Sequence, residues 1–328
     1  MKQRILGNTG ISISEIGLGT WQLGTRWGET FNETEARSIL DAAQQSSVTV
    51  IDTADVYNGG NSERAIGAFL KTCEPNKKPF VITKAGRKLD PHIAAQYTPE
   101  NITTLIEGSL TNMTLEQLDM VLLHCPPTDV YQKDALFTAL DYLKQDGKIA
   151  SYGVSVEKVS EGLQALAYNI SAIEVIFNMF RLKPAEELFP KAQAANVGII
   201  ARVPLASGLL TGQYSANTTF AAGDHRTFNR NGERFDKGET FSGVPYDIGL
   251  QAAQALQALF GTDDLAPYAL RWILMHDAVS TVIPGASKTQ QLQANLRAAN
   301  LPPLTIAQMD GVANIYNHYL KETIHPYW

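Results

Sequence analysis

Short apolar runs alternate with longer stretches of helical period along most of the chain, the pattern of a parallel sheet with crossover helices. Eight runs read as strands: 15–19, 48–52, 80–84, 120–124, 150–155, 173–177, 198–203 and 279–283. Most stay apolar over four or more residues, as strands covered on both faces should. Helical patterns fill the gaps at 33–46, 62–71, 99–113, 133–145, 158–167, 184–195, 266–276 and 289–299. In the second of these, Ala65, Ile66, Phe69 and Leu70 fall on one face. Asn32 and Thr98 are good N-caps, and Pro99 and Pro184 suit a first helical turn.

Before the first strand, residues 4–6 and 11–13 flank Gly7-Asn8-Thr9-Gly10 and predict a β-hairpin. Two segments exceed normal connections. One runs from Gly208 to about Pro245 and carries Arg226, Arg230 and Arg234; the other is the tail from Leu304, helical through Leu320. Eight strand–helix units in a chain of 328 residues predict one (β/α)8 TIM barrel domain over 1–328, with an N-terminal β-hairpin and a long loop after the seventh strand. A doubly wound dinucleotide fold is rejected, because Gly17-Leu18-Gly19-Thr20-Trp21 lacks the third glycine of its fingerprint turn.

Composition narrows the function classes. A formal charge of −6, with no basic run of five residues, argues against a nucleic-acid surface. No apolar run reaches the length of a membrane span, and the N-terminus lacks a signal-peptide core. The two cysteines, Cys73 and Cys125, fit neither a zinc site nor a redox pair and read as reduced thiols of a cytoplasmic protein. No tight His/Asp/Glu cluster suggests a metal.

Candidate chemistry sits at the strand ends. Asp52, Lys84 and His124 each close an apolar run, on three consecutive strands, and Tyr57 follows Asp52 by five residues. Taken singly, each has an ordinary reading as a turn, surface or core residue. The C-terminal strand ends of a barrel share one mouth, however, and there the four form a set. Reducing a carbonyl needs a hydride and a proton. A phenol is a poor acid near neutral pH, a nearby ammonium lowers its pKa, a carboxylate holds that ammonium, and a neutral imidazole can hydrogen-bond the substrate oxygen.

The blocks Ile51-Asp52-Thr53-Ala54-Asp55-Val56-Tyr57, Ser62-Glu63, Ile82-Thr83-Lys84, Leu122-Leu123-His124, Gly153-Val154-Ser155, Pro204-Leu205 and Ile283-Pro284-Gly285 resemble, in order, the signature blocks of the aldo-keto reductase superfamily. The likeness runs from Leu6 to about Asn295 and is nearest to bacterial NADPH-dependent members with a Pro204–Gly212 block of this kind. It implies reduction of a small-molecule aldehyde or ketone, with Tyr57 as proton donor and NADPH/NADP+ extended across the barrel mouth. Carried over by position, Gly19, Thr20, Trp21 and Asp52 would lie near the nicotinamide ribose or substrate, and Ser155 with Glu174 near the carboxamide. Arg202 would meet the ring; Pro204, Leu205, Ser207, Gly208 and Leu210 would meet the pyrophosphate; Gly285, Ser287, Lys288, Gln291 and Asn295 would hold the adenosine 2′-phosphate end. A helix starting near 289 makes the last group an anion site by itself, with Lys288 supplying charge.

Three positions depart from the family pattern: Val156 replaces Asn, Glu174 replaces Gln, and Arg202 replaces an aromatic. An isolated Arg202 guanidinium beside the ring would disfavour its cationic, oxidised form by about 1 kcal/mol; Arg202 bonded to a carboxylate or phosphate is the equal alternative. Substrate selection is expected from Trp21, Trp27, Tyr57 and the long loop. The alternative function is a cofactor-binding regulatory subunit with little turnover, since some resembling proteins are auxiliary subunits of potassium channels. The oligomeric state is left open.

Overall fold

In the computed structural model, which describes residues 1–25 and 30–328, the chain opens with the antiparallel pair β1 (Gln3–Ile5) and β2 (Ser12–Ser14). The hairpin follows from its turn: Gly7 and Gly10 both take positive φ, which glycine adopts without a Cβ clash. Leu6 and Ile13 point from it into an apolar cluster with Val50, Ile82, Met120, Leu122, Ala172 and Ile200, so the hairpin plugs one end of the barrel interior.

Eight parallel strands follow in chain order: β3 (Leu18–Gly19), β4 (Val50–Asp52), β5 (Phe80–Ala85), β6 (Leu118–His124), β7 (Ile149–Val156), β8 (Ala172–Ile176), β9 (Gly198–Arg202) and β10 (Val279–Val282). All match predicted strands to within a few residues. The first differs most, because only Leu18 and Gly19 pair with β4 in regular ladder. The remainder of the predicted 15–19 run makes the seam instead: Gly17 donates to the Val282 carbonyl (2.8 Å), Val282 to that of Glu15 (3.0 Å), and Gly19 to that of Pro284 (3.1 Å). These parallel bridges join the first strand to the last and close a (β/α)8 barrel.

Helices α1 (Glu33–Gln45), α2 (Asn61–Leu70), α3 (Pro99–Met113), α4 (Asp134–Gln145), α5 (Val159–Ala165) and α6 (Lys183–Ala194) cover the strands. The Asn32 and Thr98 side chains cap α1 and α3 as predicted, accepting from Glu35 and Asn101 N–H. After β9 the chain enters the long insertion, where α7 (His225–Phe228) is one short turn. Next come α8 (Tyr246–Phe260), α9 (Ala266–Leu274), α10 (Thr289–Leu296), α11 (Ile306–Tyr319) and α12 (Lys321–Ile324). Helix α8 is absent from the sequence-based assignment. No side-chain cap marks its start at Pro245, yet it is amphipathic and buries Gly249, Ala252, Ala253 and Leu256. No helix among the described residues is long and apolar enough to cross a membrane.

Candidate active site

Strand period places the polar groups. On β4, β5 and β6 the interior residues are Val50, Ile82, Met120 and Leu122. Two positions further on, with the same facing, come Asp52, Lys84 and His124. Ala172 leads in the same way to Glu174 on β8, and Ile200 to Arg202 on β9. The top layer of the barrel interior is therefore ionisable where the layers beneath are apolar. Lys84 is 1% exposed, and its Nζ donates to both Asp52 oxygens (2.6 Å each) and to the Thr53 carbonyl (3.1 Å). With its three protons so used, Nζ meets Glu174 Oε2 at 3.4 Å by charge alone. Burial opposes the Lys84 ammonium, but Asp52 and Glu174 outweigh burial and hold it charged. Burial, reinforced by Glu174, pushes the Asp52 carboxyl well above the usual carboxylate range.

Tyr57 enters from a turn built for it. Asn58, Gly59 and Gly60 all have positive φ (51°, 61° and 85°), reversing the chain into α2 so that the phenol turns back over the barrel. Its ring centre lies 5.3 Å from Lys84 Nζ, 6.0 Å from the His124 ring, edge-on, and 6.4 Å from Trp21. Burial raises the phenol pKa above its ordinary value; Lys84 counteracts without reversing the shift. The sequence-based expectation of a net lowering omitted burial. His124 goes the other way: burial, aided by Arg87 and Lys84, holds the imidazole well below its ordinary pKa and hence neutral.

These groups face a cavity of about 750 Å³. Of the residues singled out in the sequence, it is lined by Gly19, Thr20, Trp21, Asp52, Tyr57, His124, Glu174, Arg202, Pro204, Leu205, Ser207, Gly208, Gly285, Gln291 and Asn295. Lys84 lies behind Asp52, and Ser155 is fully buried, donating to Glu174 Oε1 (3.2 Å). Leu210 faces the core, and its N–H, like that of Gly208, donates to the Leu205 carbonyl. Ser287 is held by the Gln291 amide oxygen. Lys288 is exposed and lines a neighbouring groove with Asn32, Thr34 and Glu35. Val156 packs outside the barrel in the main core, and Trp27 lies outside the described residues.

Between β9 and the insertion the backbone is strained. Val203 sits at φ 50°, a region that costs a β-branched residue about 1–3 kcal/mol, and Asn178 Nδ2 holds its carbonyl at 2.9 Å. The strain turns residues 204–208 along the cavity wall. Gly208, at φ 103°, has no room for a Cβ against Tyr214.

A family model described as "Aldo/keto reductase family" matches residues 15–317. The chain belongs to the aldo/keto reductase family. It is 30% identical to "Uncharacterized oxidoreductase YqkF" of Bacillus subtilis over 93% of both chains. It is 27% identical to "NADH-specific methylglyoxal reductase" of Escherichia coli, over 92% of this chain and 94% of the relative. The solved holo form of aldo-keto reductase AKR11C1 from Bacillus halodurans superposes with a TM-score of 0.77, at 28% identity and 96% coverage of each chain. The protein is accordingly an NAD(P)H-dependent oxidoreductase.

The cavity of this aldo/keto reductase fits such a cofactor. It runs from Trp21, Tyr57 and His124 past Pro204–Gly208 to Gln291 and Asn295, and at one end Glu174 Oε2 lacks a hydrogen-bond donor among the described residues. Bound there, a reduced nicotinamide would supply hydride. Glu174, oriented by Ser155, would meet its carboxamide, residues 204–208 would line the middle, and Gln291 and Asn295 the far end, with Lys288 in the groove beside it.

Sequence reasoning missed the second charged layer of the site. Arg202 donates to Glu157 (3.0 Å) and to the Val156 carbonyl (3.1 Å), and lies 3.5 Å from Glu239 and 3.9 Å from Glu174. Arg87 bonds Glu239 (2.7 Å) and Glu157 (3.2 Å). The repulsion expected of a lone guanidinium is therefore offset by carboxylates. Burial and Glu239 push Glu157 up to about 7; Glu239 works against burial too, but both arginines hold it well below the usual carboxylate range. Glu239 comes from the insertion, 152 residues beyond Arg87, so no local signal linked them. His225 of the insertion meets the Trp21 ring at 5.0 Å across the cavity. Cys125, Glu157 and Glu239 approach metal-ligand spacing, but Arg202 donates to Cys125 Sγ (3.4 Å) and burial raises that thiol, so guanidinium occupies the place of a cation. Both cysteines are free.

Proposed function

We propose that this chain, working as one barrel domain, reduces a small aldehyde or ketone with NADPH, Tyr57 donating the proton to the carbonyl oxygen. The carrying observation is that Tyr57, His124 and the Lys84–Asp52 pair converge on one end of one cavity. Tyr57 is protonated at neutral pH, as an acid must be, and His124 is neutral and can donate to the same oxygen. Lys84 stabilises the phenolate that remains, and Asp52 fixes Lys84 in place. Trp21, His225 and Phe235 form an aromatic wall beside the reacting end.

Preference for NADPH rests on Lys288 at the start of α10. Because a relative is named NADH-specific, the test runs both cofactors. A panel of aldehydes and ketones is offered with NADPH or NADH, and cofactor absorbance is followed for the wild type and Tyr57→Phe. Turnover that the variant loses supports the reading. Tight cofactor binding without turnover of any carbonyl would favour the regulatory-subunit alternative.

A further inference from the structure

The charged groups beneath the reacting end of the cavity do not balance. Three cations, Lys84, Arg87 and Arg202, face four carboxylates, Asp52, Glu157, Glu174 and Glu239. Glu239 and Glu157, the latter raised to about 7, bond the two arginines at 2.7 and 3.0 Å, whereas Arg202 comes no nearer Glu174 than 3.9 Å, which leaves Asp52 and Glu174 to share Lys84. Neighbours do not supply the missing cation. His124 is neutral, Tyr57 and Cys125 stay protonated, and Arg181 acts on Asp236 and Glu157, not on Asp52 or Glu174. Asp55 is a further carboxyl, with Glu63 and Lys88 as its own charged neighbours. Asp52 and Glu174 are 3% and 1% exposed, so water cannot screen the surplus charge.

We propose that the buried pair Asp52 and Glu174 holds one proton while the bound cofactor ring is neutral and releases it when the ring becomes a cation, making the pair the proton store for Tyr57. The inference rests on the cofactor reading above. Its basis is charge: a buried ammonium with two carboxylates carries a net −1, which either a proton or a cationic ring can cancel. The raised Asp52 carboxyl, with Glu174 among its causes, agrees. A family Gln at 174 would leave the Lys84–Asp52 pair neutral with no proton to store.

The step balances. As hydride passes from cofactor to carbonyl carbon, Tyr57 gives its proton to the oxygen and is left a phenolate. The carboxyl pair, now facing a cation, returns a proton to Tyr57. Lys84 lies between them, bonded to Asp52 and 5.3 Å from the Tyr57 ring centre. The proton consumed overall then enters from solvent when spent cofactor leaves.

The test is calorimetric titration of NADP+ and of NADPH, in buffers of different ionisation heat, on the wild type and Glu174→Gln. The 2′-phosphate is common to both ligands and cancels in the difference. The wild type is expected to release about one proton more with NADP+ than with NADPH, and the variant close to none. No difference in the wild type, or a difference that survives in the variant, overturns the proposal. Should the variant not fold, the wild type alone decides: the affinity ratio of NADP+ to NADPH should rise with pH, up to about tenfold per unit while the pair is protonated, and a flat ratio overturns it. A wild type that binds neither ligand refutes the cofactor reading instead.

Discussion

Replacing Lys84 by Met removes the charge that stabilises a Tyr57 phenolate while keeping much of the side-chain volume. Nζ lies 5.3 Å from the phenol ring centre. At an effective dielectric near 20 that separation corresponds to roughly 3 kcal/mol, or about two units on the phenol pKa. Burial already raises that pKa, and the variant raises it further. Part of the difference appears in the transition state, so carbonyl reduction should slow between about tenfold and about a hundredfold. In the reverse direction the phenolate must form first. Alcohol oxidation should therefore be slower in the variant at every accessible pH and need still higher pH to rise. Asp52 and Glu174 lose their shared counter-ion, at a stability cost of about 3–5 kcal/mol, so the assay is run well below the variant's melting temperature. NADPH affinity, measured by fluorescence titration, should change little, because Lys84 lies behind Asp52. A variant that reduces carbonyls within about twofold of the wild type across the pH range would remove Lys84, and the argument for Tyr57, from the mechanism.

Tyr57→Phe should lose about two to four orders of magnitude in kcat with NADPH affinity kept; near-normal turnover would mean another group is the acid. Glu239→Gln removes the charge by which the insertion grips both arginines, and should cost about 2–4 kcal/mol in denaturant unfolding and open residues 213–245 to limited proteolysis. An unaltered cleavage pattern would refute the tether. Asp55 is buried, and burial, with Glu63, raises its pKa to about 7 against the opposing pull of Lys88 and the Val56 N–H. Unfolded, it ionises near its ordinary value, so its contribution weakens the fold progressively from about pH 4 to about pH 7 and then levels off. Asp55→Asn does not titrate, and its melting-temperature advantage should grow across that window; a constant difference would contradict the burial argument.

Much of the barrel was legible because period-two and period-3.6 patterns report which faces are buried. The same period gave the reacting layer: Asp52, Lys84 and His124 stand two positions beyond interior residues of their strands. The insertion was legible as an interruption but not as a structure. Glu239 and His225 reach the cavity through contacts with Arg87 and Trp21 that no local pattern encodes. The balance of charge was equally hidden. Arg202 alone suggests a positive site, whereas Glu157, Glu174 and Glu239 around it make the layer negative. Helix α8 escaped notice because no side-chain cap marks its start at Pro245.

The seam between the first and last strands has a consequence for biosynthesis. Residues 15–19 can find their partners at 282–285 only after nearly the whole polypeptide has been made, so the wall bearing Gly19, Ile283 and Gly285 is the last part of the cavity to be assembled. A nascent chain still lacking its final strand has an open trough in place of an enclosed chamber. Oxidoreductase chemistry on this scaffold therefore waits for the chain to be all but finished, and a truncation before residue 279 should abolish the chamber even though every proposed catalytic side chain has already been synthesised.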